Sequence, residues 1–368
     1  MSTSGLMLAA TVAVATVAAS PALGHDLFLP TADETWETAS PTSLGWDRAA
    51  LDEVCDFVRD TQGNSFLILK DGRIVVERHW TAAGAAHAQY VMSTGKSITA
   101  FLVGVAMAEG KLTLGQPVSE ILGPGWSRAT PAQEREIRVE HLLTMTSGLD
   151  ARLAYEAPPG AVWRYNTPAY QQLHPLVEKA VGTSVAAFSA RVLFEPLGMK
   201  HSRFHYHSFV MTARDMARFG LLILARGTWN DRSVIEDRAY FAAMLSPSQR
   251  LNRAYGYLWW LNGQESFRTV GRPRAAMRGA MVPDAPADMV SANGKGGQRI
   301  AVAPGAGLVV VRLGENPAAG PDGDTEGNGT QSRFDVQLWR RLARVIPAAT
   351  VRGSDGPSVG SNRSEDRP

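Results

Sequence analysis

The sequence predicts a mixed α/β (α+β) fold: an antiparallel sheet flanked by helices, plus an all-α lobe. Three observations carry this. Near the start, Phe66-Leu67-Ile68-Leu69 and Ile74-Val75-Val76 are apolar runs joined through Asp71-Gly72, a strong hairpin signal because both residues tolerate the left-handed backbone of a tight turn. Near the end, Ile300-Ala301-Val302 and Leu308-Val309-Val310-Val311 flank Pro304-Gly305-Ala306-Gly307 and read as a second hairpin. Between the two hairpins the pattern is mostly helical. Early and late strands then share one sheet, the intervening helices form a second lobe, and a cleft lies between them. The boundaries are a leader over 1–24, a lead over 25–44, a sheet lobe over 45–106 and 212–347, a helical lobe over 107–211 and a disordered tail over 348–368.

The elements follow in order. Leu51, Val54, Cys55 and Val58 recur at helical spacing, and Gly63-Asn64 closes that helix. After the first hairpin, Ile98, Phe101, Leu102 and Val105 form the stripe of a helix apolar enough to be interior, ended by Glu109-Gly110-Lys111. Leu112 to Arg135, with three prolines, reads as loop. Short helices follow over Val139 to Met145, around Leu173, Leu176, Val177 and Ala180, over Val185 to Phe194, and over Asp215 to Leu224. Tyr255 to Leu261 is an aromatic-rich strand. Glu315 to Gln331 is a mobile Gly/Pro-rich loop, and Ser332 caps a last helix with face Phe334, Leu338, Leu342 and Val345.

Composition narrows the function. A formal net charge of +2 gives no reason to expect a nucleic-acid partner. Cys55 is the single cysteine, so an intramolecular disulfide and a cysteine metal cluster are excluded. Leu6 to Ala19 is small and apolar, followed by Ser20-Pro21-Ala22-Leu23-Gly24, which predicts a cleaved secretory leader and a periplasmic or secreted protein. Met1 to Gly5 carries no Lys or Arg, which leaves an uncleaved anchor as the alternative.

The chemistry centres on Ser93-Thr94-Gly95-Lys96, at the start of the interior helix. A serine and a lysine three residues apart face the same side of a helix, so the amine can act as base to the hydroxyl once burial lowers its pKa. Two rivals fail. A phosphate-binding loop needs a glycine five residues before Gly95, where Tyr90 stands. The Gly-x-Ser-x-Gly pattern of another hydrolase fold is matched only by Gly356-Pro357-Ser358-Val359-Gly360, in the Gly/Ser-rich tail and without the apolar strand and helix that such an elbow joins. Tyr165, shortly after the turn at Pro159-Gly160, is a candidate proton shuttle, because a phenol near a lysine ammonium loses its proton more easily. Its ordinary alternative is a core tyrosine beside Trp163 and Tyr170. Asn293-Gly294-Lys295-Gly296-Gly297-Gln298 offers backbone that a substrate can approach closely at Gly294 and Gly296, and an N–H to complete an oxyanion hole with that of Ser93. The histidines His201, His205 and His207 lack a convincing ligand set, so no metal is expected, and packing is the reading for His141.

With these motifs in order, the chain resembles the serine β-lactamase and penicillin-binding-protein superfamily. It is most similar to the branch with class C β-lactamases, family VIII esterases and 6-aminohexanoate-dimer hydrolase. Besides the hairpin at Asp71-Gly72, the resemblance rests on Met92 to Ser97, Glu109 to Leu114, His141 to Leu149, Pro159-Gly160 to Tyr165, Ala213 to Gly220, Gly296-Gly297-Gln298 and Val302-Ala303-Pro304. It implies a two-lobed β-lactamase/transpeptidase-like fold. It also implies Ser93 as nucleophile, Lys96 as activator, Tyr165 as general base and acid, and the Lys295 backbone N–H as second oxyanion donor. Two departures stand out. The usual Tyr-x-Asn is here Tyr165-Asn166-Thr167, leaving Asn166 and Thr167 as candidate substrate contacts. The Lys-Thr-Gly element is absent, which disfavours recognition of a β-lactam carboxylate.

The expectation is a serine hydrolase acting through an acyl-enzyme on a small-molecule ester, amide or peptide. It needs no cofactor and no membrane beyond an uncleaved leader. A β-lactamase or D-alanyl-D-alanine carboxypeptidase is the first alternative. A non-catalytic binding protein with this fold is the second.

Overall fold

The computed structural model describes residues 27–32, 35–270, 275–315 and 333–347. The expected leader, the loop beyond Glu315 with the Ser332 cap, and the tail from 348 lie outside the described residues.

Helix α1 spans Arg48–Asp60; Asp47 caps it by accepting the Ala50 N–H at 3.0 Å, and Leu51, Val54, Cys55 and Val58 form its buried face. Strands β1 (Gly63–Lys70) and β2 (Arg73–His79) form the expected hairpin, with Asp71 (φ 48°) and Gly72 (φ 84°) supplying the left-handed turn. A short β3 (Ala88–Tyr90) leads through a 3-10 turn at Met92–Thr94 into α2 (Gly95–Ala108), which is buried on all sides from Gly95 to Ala106.

From Val118 to Leu197 the regular elements are helices. These are α3 (Val118–Leu122), α4 (Pro131–Glu136), α5 (Val139–Leu143), α6 (Thr167–Gln171), α7 (Leu173–Val181), α8 (Val185–Ser189) and α9 (Glu195–Leu197). One π-helical turn, Ala190–Phe194, joins the last two. Helices α3 and α4 occupy the stretch that reads as loop. The prolines responsible for that reading stand where helices begin: Pro117 precedes α3, and Pro131 opens α4 behind the Thr130–Gln133 capping box.

Next come β4 (Arg203–His205), β5 (Ser208–Thr212) and α10 (Ala213–Leu224), the helix being capped by Thr212. A two-residue pair, β6 (Thr228–Trp229) and β7 (Arg232–Ser233), precedes α11 (Arg238–Met244). Of the aromatic stretch expected as strand, only β8 (Trp260–Leu261) is one, because Leu258 turns left-handed at φ 60°. Then come β9 (Ser266–Phe267), β10 (Met277–Arg278), β11 (Val290–Gly294), β12 (Gln298–Ala303), β13 (Leu308–Gly314) and α12 (Arg333–Val345).

The main sheet is antiparallel, in the order β2-β1-β13-β12-β11-β8, so early and late strands do share it. Strand alternation sorts its two faces. On the front, Gly220 of α10 lies close to Val309 and Ile300; a methyl group there would come within 2.6 Å of Val309. On the back, Arg299 pairs in register with Arg312 and reaches Asp335 of α12. Helix α2 packs against β11 and β5 as well as against α7 and α11, so it lies where strands and helices meet.

Candidate active site

The turn before α2 is fixed from two directions. On one side the Val91 N–H donates to Phe209 O at 2.9 Å and the Ser208 hydroxyl donates to Met92 O at 3.1 Å. On the other, the buried Thr94 hydroxyl lies 3.3 Å from Ala292 O and 3.2 Å from Gln298 O, tying the turn to β11 and β12. Met92 is left-handed (φ 52°) and 46% exposed, so the chain bends sharply just before Ser93. Ser93 itself is half-buried and keeps access to solvent.

Lys96, 3% exposed, brings Nζ to 3.0 Å from Ser93 Oγ, as the i, i+3 spacing predicts. No acidic side chain among the described residues pairs with it. Its neighbours are aromatic: Nζ lies 4.6 Å from the ring centroid of Tyr170 and 5.0 Å from that of Tyr165. Burial without a counter-charge disfavours the ammonium and lowers its pKa to about 7. Near neutral pH a large share of Lys96 is therefore free amine, able to accept the Ser93 proton.

The Tyr165 phenol faces Ser93, whose hydroxyl eases its ionisation. Its ring stacks on Trp260, with centroids 6.0 Å apart and planes 16° apart, and meets Tyr255 edge-on at 6.3 Å. Burial pushes its pKa up to about 12, an effect Ser93 only partly offsets. This corrects the expectation that a neighbouring ammonium would ease the loss of its proton. The lysine sheds its charge first, and the phenol stays protonated.

Tyr170 and His174 are functional candidates that the sequence reading missed. The Tyr170 hydroxyl lies 3.1 Å from Thr99 Oγ1 and 3.0 Å from His174 Nε2, while Thr99 donates to Gly95 O at 3.0 Å. This fixes the ring that closes one side of the Lys96 pocket. Burial holds His174 well down, at about 3, so it adds no charge there. The only available signal was the recurrence of aromatic and polar residues on α6 and α7 after Tyr165.

The glycine-rich stretch is the turn from β11 into β12. The Thr94 and Gly95 N–H groups are spent on Val91 O and Met92 O. The N–H groups of Ser93 and of the exposed Lys295 have no backbone acceptor among the described residues. Three further expectations are corrected. A Cβ on Gly294 would lie 2.4 Å from Val91 O, so its missing side chain admits the Ser93 turn rather than a substrate. Gly296 (φ 80°) serves the turn geometry, and a Cβ there would lie 2.7 Å from Gln298 Nε2. Asn166 is buried with its amide occupied: it donates at 2.8 Å to both Leu149 O and Asp150 O and accepts the Ala169 N–H as the cap of α6. Thr167, half-buried at the start of α6, has no hydrogen-bond partner for its hydroxyl among the described residues. The described residues contain no group of three or more His, Cys, Asp or Glu placed to hold a metal ion; His205 meets Tyr90, and His207 stacks on His174.

Comparison with known proteins agrees with this architecture. A family model described as Beta-lactamase matches residues 52–327. A search of curated proteins found no match. Among solved structures, a protein of Bacteroides dorei provisionally described as a beta-lactamase is 18% identical, with a TM-score of 0.64 over 82% of this chain and 99% of that one. A protein of Bacillus anthracis provisionally described as a 6-aminohexanoate-dimer hydrolase is 14% identical, with a TM-score of 0.63 over 84% and 87%. A beta-lactamase of Mycobacterium bovis is 19% identical, with a TM-score of 0.57 over 80% and 96%. At these identities the structures speak for the fold alone. The match of the family model over most of the chain goes further, and with it the protein belongs to the beta-lactamase family of the serine β-lactamase and penicillin-binding-protein superfamily.

Proposed function

We propose that the protein is a serine hydrolase that cleaves an ester or amide through an acyl-enzyme on Ser93. The observation that carries this is the 3.0 Å approach of Ser93 Oγ to a buried, unpaired Lys96 whose pKa lies near 7. The neutral amine takes the hydroxyl proton as Oγ attacks the substrate carbonyl. The Ser93 and Lys295 N–H groups receive the oxyanion. Tyr165, protonated and facing Ser93, passes a proton toward the leaving group as Lys96 gains one. A water molecule then attacks the acyl ester by the reverse proton route.

Uncharged esters and amides are favoured over β-lactams for a physical reason. A β-lactam presents a carboxylate, and the strand carrying the glycine turn holds Ala292-Asn293-Gly294 in place of a cationic element. The buried guanidiniums next to that turn, Arg299 and Arg312, are occupied behind the sheet. Export to the periplasm or beyond, read from the leader, would place the substrate outside the cytoplasm.

The test is a panel of short esters, amides and a chromogenic cephalosporin, run on wild type beside Ser93→Ala, with fluorophosphonate adducts mapped by mass spectrometry. Ser93-dependent ester or amide turnover, with the adduct on Ser93, supports the reading. Labelling elsewhere with Ser93→Ala still active sinks it. Efficient cephalosporin turnover would move the assignment to β-lactamase. No Ser93-dependent turnover across the panel would favour a binding role.

A further inference from the structure

The glycine turn that carries Lys295 is gripped from behind by two buried arginines, neither of which faces the nucleophile. Arg299 Nη1 donates to Gly294 O at 2.8 Å and to Gln298 O at 3.0 Å. Arg312 Nη1 donates to Gly296 O at 2.9 Å and to Gly297 O at 3.0 Å. Four carbonyls of the turn are thus drawn toward the back of the sheet. Arg299 is itself oriented by Asp335 of α12, which accepts from Nε at 2.8 Å and from Nη2 at 2.8 Å. Arg312 Nη2 is anchored on Thr61 O at 2.7 Å. The strand register sets the two arginines opposite each other on β12 and β13.

Peptide geometry turns this into a statement about the front of the sheet. In a trans peptide the carbonyl of one residue and the N–H of the next point in opposite directions. Among the described residues there are no cis bonds. Because Arg299 pulls Gly294 O backward, the Lys295 N–H points forward. Forward is where Gly294 abuts Val91 and Thr94 of the nucleophile turn. A cation on the carbonyl also polarises the amide, which strengthens its N–H as a donor.

Resting on the acyl-enzyme reading above, we propose that Arg299, held by Asp335, is a positioning residue for the oxyanion hole. It aims and polarises the Lys295 N–H through the Gly294 carbonyl, and Arg312 secures the Gly296 and Gly297 carbonyls. Behind this turn Asp335 pairs with Arg299, while the charges of Asp335 and Glu315 both act on Arg312, whose own hydrogen bonds go to backbone carbonyls.

The test compares wild type, Arg299→Lys, and the double variant Arg299→Met with Asp335→Leu, which removes the buried pair together and keeps an apolar filling. Each is assayed for kcat and KM on the best ester, affinity for a boronic acid that mimics the tetrahedral oxyanion, and thermal midpoint. The double variant should lose about 10- to 100-fold in kcat and in boronate affinity together, with KM changed less than about threefold. Arg299→Lys, with a single ammonium nitrogen in place of the planar fork, should lose a smaller factor in the same two quantities. A folded double variant with wild-type kcat and boronate affinity overturns the proposal, as does one that loses kcat yet keeps boronate affinity. If the double variant does not fold, Arg299→Lys decides, and wild-type values there overturn it. Wild type without Ser93 labelling or turnover would instead refute the hydrolase reading itself, before any variant is compared.

Discussion

Acylation of Ser93 should follow the proton state of Lys96. With a pKa of about 7, roughly a tenth of the lysine is free amine at pH 6 and roughly nine-tenths at pH 8. The rate constant for fluorophosphonate labelling should therefore rise about tenfold between those values, climb about tenfold per unit below pH 6, and level off above pH 8. Lys96→Met should abolish the limb and slow labelling by about 10²- to 10⁴-fold, the usual worth of a placed general base. The assay is quenched-flow labelling from pH 5 to 10, read by intact mass. A rate that is flat across the range would show that Lys96 does not gate attack. A rate still climbing at pH 10 would show that it remains charged, and either result would refute the argument from burial.

Three further outcomes follow from the same geometry. Lys96→Met should be more stable than wild type, most of all at pH 6. The folded pKa lies below the unfolded value of 10.5, so wild type gains stability as pH rises from about 7 to 10.5 and lacks that gain below 7. The full shift corresponds to roughly 5 kcal/mol as an upper bound, so the advantage of the methionine in urea melts should shrink steadily between pH 7 and 10. Tyr165→Phe keeps the ring stacked on Trp260 but removes the hydroxyl at Ser93. Turnover should fall by about 10²-fold or more with the thermal midpoint nearly unchanged, and a loss of both together would contradict the proton role. Gly294→Ala would put a methyl group 2.4 Å from Val91 O and 3.1 Å from Thr94 Oγ1. The nucleophile turn must shift, so labelling should slow at least about tenfold and the melting temperature should drop; wild-type behaviour would show the turn to be looser than the structure has it.

Much of the fold was legible because its signals are local. The Asp71-Gly72 turn, the face of α1 and the apolar runs of β12 and β13 each sit within a few consecutive residues. Prolines misled where they open helices rather than break them, as at Pro131. The Ser93–Lys96 contact was legible for the same local reason, since helical spacing alone brings the two side chains together. The setting of the pair was not. That Lys96 meets no carboxylate among the described residues and sits beside two phenol rings depends on α6 and α7 docking against α2, which no local pattern records. Asn166 shows the converse: its residue type suggested a substrate amide, but its place at the head of α6 commits that amide to backbone. Arg299 and Arg312 left a faint trace as charges inside apolar strands, but which face they take depends on the pairing of β12 with β13.

The antiparallel pairing of β1 with β13 bears on how the chain is made. β1 is synthesised long before β13, so one whole edge of β1 waits until the helices and strands between them have emerged. Until then Phe66 to Leu69, fully buried in the finished sheet, are an open apolar strand edge. The Ser93 turn is equally incomplete, because Thr94 finds its acceptors only on β11 and β12. A product truncated before Leu308 would thus lack activity and expose a sticky edge, while the reactive serine comes under control only as the last strands arrive.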